Sequence, residues 1–303
     1  MPEGDSVYRM AARLREALAG KELTRSDLRV PRFATADLTG LTTLEVVPRG
    51  KHLLMRFGHP ATGTAEEPGS RPEARSRPEA APETRLTLHT HLRMDGTWRI
   101  LPTRTTPTPP PAPGAPRAPR ASRTPPGPVH EIRVILATAD HTAFGYRLPV
   151  VELLRTADEH RAVGHLGPDL LGPDWDEETA AANLLATPAR PLGEALLDQR
   201  NLAGIGNIYK AEICFLALVT PWTPVGDLQP RTLPRIAAAA HRLLDANKAR
   251  HRNTTGSRRP GQDLFVYGRA HRPCLRCGTP VREAPQDGRP TYWCPRCQSG
   301  PTP

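Results

Sequence analysis

CLRCGTPVREAPQDGRPTYWCPRC, residues 274–297, begins and ends with a pair of cysteines two residues apart, and sixteen residues separate the pairs. This spacing suits a four-thiolate zinc site. Each CxxC turns tightly enough to offer two thiolates to one tetrahedral ion, and a β-hairpin of the intervening length brings the pairs together. Cys274, Cys277, Cys294 and Cys297 are therefore expected to hold one structural zinc ion. Four thiolates leave no open position, so no catalytic metal is expected. Redox exchange is the other chemistry open to such pairs, but two matched pairs in a basic module favour zinc. The Asp287-Gly288 step is a hairpin-turn signal. It sets Arg289 just beyond the turn, where a rigid arm suits a bidentate phosphate contact. A solvated surface charge is the alternative, since 36 other arginines are present. Cys214, within YKAEICFLALV, reads as an inert buried thiol.

The charge around this module is uneven. Residues 231–303 hold 14 Lys and Arg against 4 Asp and Glu, whereas residues 1–230 hold 27 of each. The whole net charge of +10 thus sits in the C-terminal quarter. A basic, arginine-rich module points to a phosphate-backbone partner, with a merely soluble basic surface as the alternative. With 38% hydrophobic residues and no apolar run near the ~18 residues of a membrane span, a membrane protein is not expected. MPEGDSVYRMAARLREALAG, residues 1–20, carries charges throughout and no apolar stretch of a secretory signal, so the expectation is a cytoplasmic protein.

Two stretches cannot fill a core. Residues 59–84 and 102–128 contain 16 of the 36 prolines and read as disordered inserts. Around them, the runs Leu44–Val47, His52–Phe57, Arg85–Leu92, Thr97–Leu101 and Glu131–Thr138 alternate or are continuously apolar, which predicts an antiparallel sheet domain over residues 1–155. A helix precedes it: Val7, Met10, Leu14 and Leu18 recur at helical spacing, Asp5 or Ser6 can cap its start, and Gly20 ends it. Helical patterns dominate residues 156–255, and residues 256–303 form the zinc module and tail.

Within the helical part, LLDQRNLAGIGNIYKAEICFLA (196–217) is an apolar helix, a glycine-rich turn with Gly204 and Gly206, and a second, amphipathic helix starting near Asn207. Helix ends with free N–H groups make an anion site, to which the Asn207 amide can add a donor. An ordinary helical hairpin is the plainer reading. At the other end of the chain, loss of Met1 would turn Pro2 into a secondary amine. An α-amino group titrates near ~7.7–8.0, far below a lysine, so part of it is a free nucleophile at neutral pH, and its condensation with an aldehyde-like carbon gives an iminium. Glu3, adjacent, could move protons. A frayed terminus is the alternative. Lys51, in RGKHLL, is one of only four lysines, so a compact ammonium is retained there against the prevailing arginine.

In order along the chain, MPEG, RGKHLL, HLRMDGTWR, LLDQRNLAGIGNIYKAE and VYGR followed by CxxC, GR and CxxC resemble the formamidopyrimidine/endonuclease VIII family of DNA glycosylases. The resemblance spans everything except the two proline-rich inserts. It implies an α+β fold: an N-terminal antiparallel β-sandwich with a leading helix, a helical domain with a helix–two-turns–helix motif, and a C-terminal four-cysteine zinc-finger hairpin. It also implies a bifunctional DNA glycosylase and abasic-site lyase of base excision repair, a monomer acting on damaged DNA in the cytoplasm at the nucleoid. By resemblance Pro2 attacks C1′ of the damaged nucleoside, Glu3 is the acid/base of sugar opening, Lys51 sits at the scissile phosphate, and Asn207 and Arg289 grip phosphate. Iminium formation would acidify the C2′ protons and permit β- and δ-elimination. Met94 looks like the residue that fills the vacated base stack, the alternative being a core methionine beside Leu86, Leu88 and Leu92.

Two departures bear on substrate. Ser6 stands where the family commonly has a glutamate, so that carboxylate's role is absent or passes to Asp5. DHTAFG (140–145) lacks both arginines of the loop with which the oxidised-purine branch contacts the opposite cytosine. With Gly4, this resembles the endonuclease VIII side and implies oxidised pyrimidines. The alternatives are an oxidised-purine glycosylase, a non-catalytic damaged-DNA-binding protein of the same fold, and a zinc-ribbon interaction module without DNA affinity.

Overall fold

The computed structural model describes residues 2–59, 85–103 and 127–303. The proline-rich stretches expected to be disordered lie, but for a few end residues, outside the described residues.

Helix α1 (Gly4–Leu18) buries Val7, Leu14 and Leu18, with Met10 packed at the edge of the same core. It starts earlier than an Asp5 or Ser6 cap predicts. Glu3 is the cap residue, its backbone N–H donating to Ser6 Oγ at 3.3 Å, and Asp5 and Ser6 lie in the first turn. Gly20, at φ +74°, takes the left-handed turn after the helix.

Among the described residues eight strands follow: β1 (Arg25–Leu28), β2 (Thr42–Arg49), β3 (His52–Gly58), β4 (Leu86–His91), β5 (Thr97–Pro102), β6 (Ile132–Ala137), β7 (His141–Tyr146) and β8 (Val150–Arg155). They pair antiparallel into two four-stranded sheets, ordered β2-β3-β4-β8 and β1-β6-β7-β5. Val46, Met55, Phe57 and Leu88 from the first sheet meet Leu28, Trp98, Val134 and Leu136 from the second, with Leu14 and Leu18 of α1 in the same core. This is the expected β-sandwich with a leading helix. Strands β1, β7 and β8 are not among the runs that alternation selects. β1 is RSDL, with Leu28 as its one buried residue. DHTAFG, compared by resemblance with a DNA-contacting loop, is largely strand β7, central in its sheet between β6 and β5.

The helical part comprises α2 (His160–Val163), α3 (Glu177–Leu185), α4 (Leu192–Leu197), α5 (Asn207–Leu216) and α6 (Thr232–Asn247). Asp176 caps α3, its carboxylate accepting from the Glu178 and Thr179 N–H groups. The core gathers Leu184, Leu196, Leu202, Tyr209, Ile213 and Ile236. Helix α5 is not amphipathic as expected: residues 207 to 215 are all buried, polar ones included. It is a strut packed against α4, α6 and the C-terminal hairpin. Its Glu212 accepts hydrogen bonds from the Phe265, Val266 and Tyr267 N–H groups and from Thr254 Oγ1, which fastens the C-terminal module to the helix. That module is the hairpin β9 (Arg282–Gln286) and β10 (Arg289–Trp293) flanked by the cysteine pairs. Among the described residues no helix is long and apolar enough to cross a membrane.

Candidate active site

The site lies where the N-terminus, the β2–β3 turn, the N-terminal end of α5 and the zinc hairpin meet. Its centre is Glu3, which is wholly buried. One carboxylate oxygen accepts from the Ile208 N–H at 2.8 Å; the other accepts from the N–H groups of Gly206 at 3.0 Å and Tyr209 at 3.2 Å. The free N–H groups at this glycine-rich turn are taken by the chain's own Glu3 carboxylate, and the Asn207 side chain is not among its donors. The helix N-terminus supplies both the free donors and the favourable end of the dipole. The Gly4 N–H donates to Gly204 O at 2.9 Å, holding α1 to the same turn. Gly206 is required by the close approach: a Cβ there would lie 2.5 Å from Glu3 Cγ and Cδ. Pro2, half-buried, sits one residue before this anchor.

Lys51 follows Gly50, whose φ of +55° turns the chain between β2 and β3. Gly50 N–H donates to the buried Asp169 carboxylate at 2.7 Å, and its Cα packs so closely on Ala203 that a Cβ would come within 2.9 Å of that residue's own. The turn is thus pinned to the helical part. Burial pushes the Lys51 ammonium down to about 8; Arg289 adds to the fall and Glu3 opposes it. Lys51, Glu3 and Arg289 therefore share one electrostatic neighbourhood although 286 positions in sequence separate the outer two.

Arg289 is exposed at the first position of β10, after a two-residue turn in which Asp287 (φ +48°) and Gly288 (φ +68°) are both left-handed. Asn207 is buried; its side-chain N–H donates to Pro290 O at 2.7 Å, while its Oδ1 has no hydrogen-bond partner among the described residues. In this state Asn207 clasps the hairpin that carries Arg289. Lys210 Nζ reaches Thr291 Oγ1 at 2.5 Å from the same helix.

Met94 is 59% exposed at the turn between β4 and β5, which excludes the core-methionine reading. Buried Leu92 anchors the turn below it, and the Arg147 guanidinium donates to Asp95 O at 3.2 Å. Arg93, Met94, Arg133 and Arg147 help to line an open cavity of about 560 Å³.

Asp5 does not stand in for the carboxylate that Ser6 lacks. It is fully buried and gripped by Arg252, with Arg9 at 3.4 Å. Burial opposes its charge, yet the Arg252 and Arg9 guanidiniums hold its carboxyl below the ordinary carboxylate value. Arg252 also stacks over the Tyr209 ring at 4.9 Å. Sequence reasoning passes over this clamp, because nothing in an isolated arginine 247 positions from Asp5 marks it as a partner.

The four cysteine Sγ atoms lie within 4.8 Å of one another, with Cys277–Cys294 at 3.5 Å and Cys274–Cys297 at 3.9 Å. A tetrahedron with Zn–S bonds of about 2.3 Å has edges of about 3.8 Å, so this donor set fits one zinc ion. Cys214 is fully buried in α5 and its thiol is pushed up to about 12 by that burial, as befits an unreactive group.

Comparison with known proteins gives the same order of parts. Residues 1–147 match the formamidopyrimidine-DNA glycosylase N-terminal domain, 166–258 the formamidopyrimidine-DNA glycosylase H2TH domain, and 272–300 a zinc finger found in that glycosylase and in isoleucyl-tRNA synthetase. The chain is 58% identical to a probable endonuclease 8 2 of Streptomyces coelicolor, over all of this chain and 96% of the relative. It is 43% identical to the DNA-(apurinic or apyrimidinic site) lyase Nei2 of Mycolicibacterium smegmatis, over 99% of both. Endonuclease 8 of Escherichia coli is 30% identical over 98% of this chain and its own full length. The fold is that of the formamidopyrimidine-DNA glycosylase of Lactococcus lactis solved with DNA containing an abasic site (TM-score 0.70, 22% identity, 98% of this chain and all of that one). With three domain models in order along one chain and full-length relatives at this identity, the protein belongs to the formamidopyrimidine-DNA glycosylase family, on its endonuclease VIII side.

Proposed function

We infer that the protein is a DNA glycosylase and abasic-site lyase of base excision repair, acting on oxidised pyrimidines through an iminium at Pro2. The carrying observation is Glu3: a buried carboxylate fixed by three backbone N–H groups, with the candidate nucleophile beside it and the charges of Lys51 and Arg289 around it.

With Met1 removed, the Pro2 amine attacks C1′ of the damaged nucleoside. The C1′–base bond breaks, the base leaves with a proton, and the sugar ring opens at O4′ with Glu3 as the proton carrier. The resulting iminium withdraws electrons from C2′. Loss of a C2′ proton expels the 3′ phosphate, and a second elimination expels the 5′ phosphate. Lys51, Asn207 and Arg289 hold backbone phosphates, and exposed Met94 enters the space left by the extruded base. Extrusion costs a few kcal/mol and is cheapest at damaged pairs. The pyrimidine preference rests on Gly4 and Ser6 at the start of the chain; the stretch DHTAFG, which lacks the two arginines, lies largely in strand β7 and adds only its sequence likeness. The zinc-finger cysteines hold a structural ion, with the chemistry left to Pro2 and Glu3 and no catalytic metal. The protein acts as a monomer, in the cytoplasm at the nucleoid.

Borohydride trapping on duplexes bearing an abasic site, thymine glycol or 8-oxoguanine tests this reading. The expected result is a covalent adduct whose cross-linked peptide begins at Pro2, formed faster on thymine glycol than on 8-oxoguanine. DNA binding with zinc in place but no adduct on any substrate would leave a non-catalytic DNA-binding protein instead.

A further inference from the structure

On the sheet face away from the sandwich core, strands β3, β4 and β8 carry a line of titratable side chains beside Lys51. His89, 3% exposed, bonds on one side from Nδ1 to Glu152 Oε2 at 2.8 Å and on the other from Nε2 to His52 Nδ1 at 2.8 Å. The His52 and His89 rings stack at 5.0 Å, and His91 and His165 present their edges to His52 at 4.8 and 6.2 Å. Other charged groups nearby are Lys51 beside His52 and His91, Arg93 beside His91, and Glu159, which Arg56 pairs, beside His89. Among the described residues nothing bonds to His52 Nε2, so the chain has one anchored end, Glu152, and one open end.

The hydrogen bonds fix the proton order. A carboxylate at Glu152 requires a proton on His89 Nδ1; neutral His89 then accepts at Nε2, so His52 carries its proton on Nδ1 and offers a lone pair at Nε2. Protonation at the open end reverses this. A proton from solvent bonds to His52 Nε2, the Nδ1 proton of His52 passes to His89 Nε2, and the positive charge comes to rest on His89 against Glu152. His52 Nε2 is then a donor. We propose that Glu152, His89 and His52 form a proton relay that takes up a proton when a DNA phosphodiester approaches Lys51, converting His52 into an additional phosphate-binding group. In the free protein, burial and the neighbouring charges hold His52 near 3 and His91 near 4, so these two start neutral and an incoming anion beside the open end of the chain supplies the reason to take up a proton.

This inference rests on the DNA reading above, and calorimetry separates the two. Duplex DNA carrying a tetrahydrofuran abasic analogue, which the enzyme cannot cleave, is titrated into the zinc-loaded full chain at pH 6.0, 7.0 and 8.0, in two buffers of different ionisation enthalpy. The expected result is net proton uptake on binding at pH 6.0, where Lys51 is already charged and takes up nothing, with affinity rising up to tenfold per pH unit as the pH falls toward it. Glu152→Gln and His89→Asn should each lose most of that uptake, so their affinity deficit against wild type widens from pH 8.0 to pH 6.0. A variant that merely loosens the sheet would instead be weakened by a similar factor at every pH. Binding without uptake, or equal uptake in wild type and both variants, overturns the relay while leaving the DNA reading intact. No binding by wild type overturns both.

Discussion

At the scale of single residues, Lys51 shows how a charge can be put to use by being made uncomfortable. Burial brings its ammonium down to about 8, so it is charged at pH 7 and loses that charge as pH rises through about 8. The sign is that of a depressed lysine: attraction for phosphate is present below that pH and fades above it. The Pro2 amine has the opposite need, since it attacks only when unprotonated. Strand cleavage should therefore follow a bell whose alkaline limb belongs to Lys51. Lys51→Arg keeps its charge throughout. Its affinity for tetrahydrofuran-containing duplex should stay flat between pH 7.5 and 9.5, where wild type weakens; parallel declines would reject the assignment. Met94 is the opposite kind of residue, exposed and without structural duty. Met94→Ala should change folding stability by less than about 0.5 kcal/mol, as at ordinary surface positions. Its excision of a paired, damaged base should fall far more than its cleavage of a preformed abasic site. A melting temperature lowered by many degrees would instead place Met94 in the core.

At the scale of elements, α5 joins the parts of the molecule. Its first turn holds Glu3, its Asn207 and Lys210 hold the zinc hairpin, and its Glu212 holds residues 265 to 267. Gly206→Ala tests the first joint. The backbone there, at φ −121°, accepts alanine, so the cost is the collision with Glu3 rather than strain in the chain. Base release should drop about 10²-fold, the scale of a misplacement near 1 Å. Cleavage at a preformed abasic site should drop less, because Glu3 serves the earlier step. Equal losses on the two substrates would detach Glu3 from base release. The same helix shows what the sequence made legible. Its glycine-rich approach, the sandwich strands with clean alternation and the CxxC pairs are local patterns, and each is visible within about 25 residues of chain. The burial of α5 on every side joins positions tens of residues apart, the Asp5–Arg252 clamp and the filling of the helix N-terminus by Glu3 join positions more than 200 apart, and no local pattern encodes such pairings. The histidine line lies between these cases. His89 and His91, two apart on β4, share a face by strand period alone, but His52 and Glu152 reach them only through the order of the sheet.

At the scale of the whole molecule, charge and metal are concentrated together. The C-terminal quarter carries the entire +10, while the portion bearing Pro2, Glu3 and Lys51 is nearly neutral, so the chemistry and the attraction for a polyanion come from different ends of the chain. Arg289 connects them, and its reach depends on a hairpin closed by four cysteines. Two perturbations separate its charge from its scaffold. Arg289→Ala should keep one zinc per chain and lower the slope of log affinity against log salt by about 1, the equivalent of one phosphate contact. Removing zinc with a chelator should do more, because metal-ligand binding is folding free energy in such modules. The hairpin opens, the clasp from Asn207 and Lys210 is lost, and the other arginines of the module are no longer held against one strand. The salt slope should fall by clearly more than in Arg289→Ala, while the sandwich, whose described core residues are separate from those around the cysteines, keeps its strand signal in circular dichroism. An apo protein whose salt slope matches that of Arg289→Ala would mean that the zinc scaffold presents Arg289 and nothing else to the DNA.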